Sequence, residues 1–285
     1  MSALRQVARR IRHLPGLDGA EGLWRLLRTP YHRLLDRAGK GVRIIVGGKA
    51  AVRMPAEFAG GDWELYEPEA VAWFAEWVRC HPGGIVLDVG SSIGILSAVA
   101  LFADPAVDVI AFESDLDSLA AARCLCRHAS GQRLRLVHGF IGQTTTEAVS
   151  LATAMKTTHH ALAASGIRGE VGKTRYVCLN EPGVGAIPCR RLDDLFASEP
   201  VEGRAMLIKC DVEGAELLVL SGARTLLRRA RPTLLLSVHP ETLPDYGHTK
   251  DGVRSFLESA GYDTCCIAVD HEEHWWCTPV ENAAE

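Results

Sequence analysis

The sequence has no apolar run long enough to span a membrane, and its first residues lack the apolar core of a secretion signal. Its nine cysteines are an odd number. Cys80, Cys124, Cys126, Cys178, Cys189 and Cys210 are scattered, without the spacing of a disulfide framework. These absences point to a reducing cytoplasm, free thiols and no integral membrane segment. A strong charge of either sign is also missing. The net charge of −4 gives no sign of a nucleic-acid partner. Internal repeats are absent, which excludes a repeat architecture. The chain does have 285 residues, 47% of them hydrophobic and 23% charged. That composition suits one large α/β domain with an extension.

Residues 1–38 read as a helical arm broken at Pro15-Gly16. Leu4, Val7, Ile11 and Leu14 fall at helical spacing beside several arginines. Such an arm either caps the main domain or touches a membrane surface, and its leucines with Trp24 favour the cap. A hairpin is expected over 42–54, turning at Gly47-Gly48. Helices are then expected at 67–80, 115–129, 215–221, 224–229 and 250–260. Strands are expected at 84–89, 107–112, 134–137, 206–210, 233–238, 264–269 and 274–277. Residues 141–188 look irregular, with short strands near 176–179 and 185–188, and His159-His160 as part of a lid. This alternation implies a doubly wound, mainly parallel sheet with an antiparallel edge strand. Residues 1–60 form the extension and 61–285 the main domain.

The segment Leu87-Asp88-Val89-Gly90-Ser91-Ser92-Ile93-Gly94 reads as a strand end, a tight glycine turn and a helix start. Such a turn gathers backbone N–H groups and the Asp88 carboxylate at the mouth of the sheet. A dinucleotide fingerprint needs glycine two places after Gly90, where Ser92 stands, and Asp88 would repel a pyrophosphate. The combination instead suits a nucleoside with a charged amino-acid tail, of which S-adenosylmethionine (SAM) is an example. Glu113 ends the next strand, where an acid sits over a ribose. Capping of the following helix falls to Ser114 or Asp115. Gly139 and Phe140 follow the third strand and flank a bound base. Asp211 lies past the end of the strand at 206–210, facing the same crevice as Asp88. His239 ends the next strand and is the first choice for a general base, with Asp211 as base or orienter.

Four blocks carry a family resemblance. They are Trp63-Glu64-Leu65-Tyr66-Glu67-Pro68, the glycine turn, Arg191-Leu192-Asp193-Asp194-Leu195, and Lys209-Cys210-Asp211-Val212-Glu213-Gly214-Ala215-Glu216 followed by Ser221-Gly222-Ala223. In order and spacing the chain resembles the FkbM family of SAM-dependent methyltransferases. The resemblance implies a class I methyltransferase (Rossmann-like) fold and O-methylation of a small-molecule or sugar hydroxyl. It also implies that Tyr66 and Glu67 close over the methionine end of SAM. The expected cofactor contacts are Tyr66, Glu67, Asp88, Gly90, Ser91, Ser92, Gly94, Glu113, Ser114, Gly139, Phe140 and Asp211. The chain departs from the family at Ser237, where a glutamate is common. The Asn/Asp-Pro-Pro-aromatic block typical of enzymes that methylate base or amide nitrogens is missing after the fourth strand. A metal-free reaction is favoured over a divalent ion held by Asp211, His239, His271 and His274. A zinc site from Cys265, Cys266, His271, His274 and Cys277 matches no standard spacing. Trp275 and Trp276 are expected to line the acceptor pocket.

Overall fold

The apolar runs of the sequence become a sheet whose central strands are buried on both faces. The computed structural model describes residues 41–129, 133–149, 187–201 and 203–280, with the single positions Pro30, Leu34 and Gly39. The arm at 1–38, the strand at 176–179 and His159-His160 fall outside the described residues, apart from those single positions.

The antiparallel hairpin β1 (Val42–Val46) and β2 (Ala50–Met54) comes first. A 3₁₀ turn at Trp63–Leu65 leads into α1 (Pro68–Cys80), which starts with Pro68 in its first turn. Alternation then sets in: β3 (Ile85–Val89), α2 (Ile95–Ala103), β4 (Asp108–Glu113), α3 (Leu116–Leu125) and β5 (Leu134–His138). Three short strands follow, β6 (Phe140–Ile141), β7 (Thr146–Val149) and β8 (Ile187–Arg190), and form their own small sheet. After α4 (Leu192–Leu195) come β9 (Met206–Cys210), α5 (Glu216–Ser221), α6 (Arg224–Ala230) and β10 (Thr233–Val238). The described chain closes with α7 (Lys250–Ser259), β11 (Tyr262–Val269) and β12 (Glu273–Pro279).

The main sheet has seven strands in the order β11-β12-β10-β9-β3-β4-β5. Strands β5, β4, β3, β9 and β10 are parallel. The expected antiparallel strand is β12, which sits one place in from the edge, between β10 and β11. The order reverses at β3, between β4 and β9. That switch point opens a crevice at the carboxyl ends of these strands.

Neighbouring residues of β3 serve opposite cores. Val86 packs with α1, α2 and the hairpin residues Val46, Val52 and Met54. Leu87 and Val89 pack with α5, α6 and α7. Both faces being covered explains why β3 and β9 are buried along their whole length. The Arg191-Leu192-Asp193-Asp194-Leu195 block is structural: Asp193 accepts the Leu226 N–H at 2.8 Å and pairs with Arg191 at 3.0 Å, tying α4 to α6. No helix among the described residues is long and apolar enough to cross a membrane.

Candidate active site

The glycine turn after β3 is pressed against the end of β9. Gly90 has φ +73°, and a Cβ placed on it would lie 1.8 Å from the Asp211 carbonyl oxygen. Only glycine fits there. The turn's N–H groups are used internally: Gly90 and Ser91 donate to the Phe112 carbonyl, and Ser92 donates to Glu113 Oε2 at 2.8 Å. The expected open cradle of N–H groups is therefore absent at these three residues. Gly94 caps α2, and its N–H returns to the Ser91 carbonyl.

Asp88 is 1% exposed and lies under the turn rather than on the crevice wall. It accepts the Ser97 hydroxyl at 2.6 Å and pairs with Lys209 at 3.5 Å. Lys209, buried in β9, donates to the Gly90 carbonyl at 2.8 Å and also pairs with Asp211 at 3.3 Å. Burial would lower its pKa, but Asp211 and Asp88 hold it above the usual lysine range. A lysine between Ile208 and Cys210 in a fully buried strand was the sequence signal for this role.

Glu113 clasps two turns. Its Oε1 accepts the N–H groups of Ser114 (2.7 Å) and Asp115 (2.9 Å) and the Ser114 hydroxyl (3.3 Å). Burial pushes its pKa up, against these backbone bonds. Asp115 caps α3 through the Ser118 N–H, so Glu113 is not needed for that task. Gly139 links β5 to β6. Phe140 pairs with Cys189 in the small sheet and is half-buried.

On the other wall, Tyr66 and Glu67 precede α1. Burial, then Asp211 and Glu272, raises the Glu67 carboxyl to about 7. Burial and Glu67 push the Tyr66 hydroxyl well up. Glu67 (φ 37°), Ser92 (φ 48°) and Glu213 (φ 55°) are three of the four non-glycine residues with positive φ among those described. All three border this crevice, and strained backbone of this kind collects at functional sites.

His239 sits at the centre of a carboxylate cluster. Its Nδ1 meets Glu216 Oε1 at 2.8 Å, and its Nε2 meets Glu272 Oε2 at 2.6 Å. Glu213 and Asp211 lie 3.4 and 3.7 Å from Nε2. Burial alone would lower the His239 pKa, but the bonds to Glu216 and Glu272, with the charge of Asp211, push it up to about 11. Both ring nitrogens are engaged by carboxylates, so neither is free to take a hydroxyl proton in this arrangement, unlike the expectation of a general base. Burial also raises the carboxyl of half-exposed Glu213, to about 7. It would raise Asp211 too, but Lys209 and His239 hold Asp211 below its usual value.

Glu216 and Glu272 were not expected in the site. Glu216 is 0% exposed and also accepts the Gly214 N–H at 2.9 Å. Glu272 reaches His239 from the turn before β12, where Ser237 leaves β10 without a carboxylate. The set Asp211, His239, His271 and His274 is not assembled as expected. Asp211 and His239 meet Glu272 instead. His271 and His274 contact Glu272 and Asp270. No metal-competent cluster among the described residues includes a cysteine, so the zinc alternative has no support. The tryptophans part company: Trp275 is core on one face, and Trp276 packs on the other face against Trp73, 5.4 Å between ring centres. Trp275, 0% exposed, therefore does not line a pocket.

Among curated proteins no sequence matches this chain. Among solved structures, it is similar to a methyltransferase FkbM from Methylobacillus flagellatus KT, at 18% identity and TM-score 0.46, covering 77% of this chain and 55% of that one. The chain thus spans about half the length of that relative. It is also similar to a fibrillarin from Aeropyrum pernix with natively bound S-adenosyl-L-methionine, at 11% identity and TM-score 0.42, covering 80% and 88%. A third is the magnesium protoporphyrin IX methyltransferase of Synechocystis PCC 6803 with bound SAH, at 13% identity and TM-score 0.39, covering 73% and 81%. The methyltransferase FkbM domain matches residues 88–264. That match runs from Asp88 in β3 to Thr264 in β11, over more than half of the chain, and the chain belongs to the FkbM methyltransferase family.

Proposed function

We propose that the protein transfers the methyl group of S-adenosylmethionine to a hydroxyl of a small molecule or sugar. The observation that carries this is the switch-point crevice, where the Gly90 turn, Glu113 and the Asp211–Glu213 loop converge. SAM lies over the glycine turn in this reading. Glu113 Oε2, which accepts the Ser92 N–H, takes a ribose hydroxyl, and Tyr66 and Glu67 close over the methionine end.

The acceptor side is rich in carboxylates, which favour hydroxyl hydrogen bonds and repel a phosphate backbone. The reaction needs oxygen, methyl carbon and sulfur in line. As the C–O bond forms, the C–S bond breaks, leaving a neutral thioether, and the hydroxyl proton leaves. Asp211 orients the hydroxyl. Glu213, half-exposed on the same loop, has room to take the proton.

The test is methyl transfer from labelled SAM to a panel of polyols, saccharides and amines, with the product linkage read by mass spectrometry and NMR. A methyl ether supports the proposal. An N-methyl or methyl ester product, or SAM binding without turnover, overturns it in favour of another acceptor class or a binding module.

A further inference from the structure

The cluster around His239 is built like a metal site. We propose that Asp211, His239 and Glu272 hold one divalent transition cation, of the Mn²⁺ type, at the acceptor end of the crevice. Their ligand atoms all lie within 4.8 Å of one another. They come from three separate segments: the end of β9, the end of β10 and the turn before β12. The set mixes one imidazole with carboxylate oxygens, which suits Mn²⁺, Fe²⁺ or Zn²⁺ better than Ca²⁺.

Two further observations point to an ion. First, the outer contacts orient the ligands. The Nδ1 of His239 is taken by Glu216 at 2.8 Å, and Nε2 faces Asp211 and Glu272, where an arriving ion displaces the Nε2 proton and takes its place between the ring and the carboxylates. A carboxylate behind a histidine is the usual support of a metal ligand. Lys209 similarly takes Asp211 Oδ2, while Oδ1 is the oxygen nearest His239. Second, the cluster is not satisfied by its own contacts. Four carboxylates, Asp211, Glu213, Glu216 and Glu272, gather around His239, and Lys209 pairs with Asp211 alone among them. Glu272, 1% exposed, makes no hydrogen bond through Oε1, which lies 3.5 Å from His274 Nε2. Crowding this many buried and half-buried carboxylates round one imidazole is costly, and a cation among them relieves that cost.

The ion's role rests on the proposed function: it would supply Lewis acidity to an acceptor hydroxyl. The site itself does not depend on that role. The test uses the full chain, stripped with EDTA and dialysed, then titrated with Mn²⁺ while free ion is followed by electron paramagnetic resonance. SAH binding is measured on the same samples, so a failed cofactor site and a failed ion site are told apart. The wild type should take up a single equivalent. Glu272→Gln and His239→Ala should weaken uptake by more than tenfold, and Glu216→Gln by roughly 10–100-fold, with circular dichroism unchanged. Folded wild type that takes up no stoichiometric Mn²⁺ or Zn²⁺ at millimolar concentration overturns the proposal, whatever the variants do. Uptake equal to wild type in folded Glu272→Gln or His239→Ala also overturns it.

Discussion

Individual side chains in this crevice are set by what they can no longer do. His239 has Nδ1 on Glu216 and Nε2 on Glu272, so neither nitrogen is free to take a proton from an acceptor. Asp211 is tied to Lys209. Glu213 is the most exposed carboxylate of the cluster, with half its side chain exposed and its Oε2 3.4 Å from His239 Nε2. Glu213→Gln should therefore lower kcat by roughly 10²–10⁴-fold while SAH affinity stays within twofold or so. Steady-state kinetics with calorimetry checks this, and an unchanged kcat removes Glu213 as proton acceptor. At this scale the sequence was only partly legible. Asp211 and His239 stand out because each ends an apolar strand. Glu272 does not, since nothing in His271-Glu272-Glu273-His274 shows that a turn 61 residues beyond Asp211 folds back onto it. Lys209 carries a signal of its own, since a lysine inside an apolar strand needs a buried partner.

At the scale of elements, the parallel strands and their helices follow from period and turn chemistry, and most fall where the sequence places them. The position of β12 does not follow, because pairing order depends on long-range packing rather than on local pattern. Its insertion beside β10 buries Trp275 completely, with Arg254 4.7 Å above the ring. Trp275→Ala should cost about 3–5 kcal/mol of stability by urea denaturation. A loss below about 1 kcal/mol would mean that β12 is not part of the core. The meeting of β3 and β9 makes a second case. Gly90 and Gly203 both have positive φ (+73° and +81°), but a Cβ on Gly203 meets nothing within 4 Å. Gly203→Ala should cost only the backbone term, roughly 1–2 kcal/mol. Gly90→Ala should cost more and also abolish SAH binding, because the turn must retreat from Asp211. Equal losses would show that the turn is looser than described.

Across the whole molecule, two cores sandwich one sheet, and thiols are buried in both. Burial, with Asp88 nearby, pushes the Cys126 thiol up to about 12, and burial does the same to Cys277. An unfolded thiol ionises near 8.5. Between that value and about 12 the unfolded chain has already lost a proton that the folded one keeps. Each thiol's contribution is thus complete below about 8.5 and is lost as pH rises toward 12. Urea midpoints at pH 8 and pH 10.5 should show this decline, and Cys126→Ala should make it shallower. An unaltered slope would mean that the Cys126 thiol is accessible to water.

The central claim is that the crevice where β3, β4 and β9 end holds S-adenosylmethionine. Calorimetric titration of SAH into the full chain tests it most directly. The account predicts saturable binding to one site per chain, weakened by roughly 1.5–3 kcal/mol in Glu113→Ala through loss of a charged hydrogen-bond acceptor. Absence of SAH binding to the folded wild type, or an affinity that Glu113→Ala leaves unchanged, would contradict it.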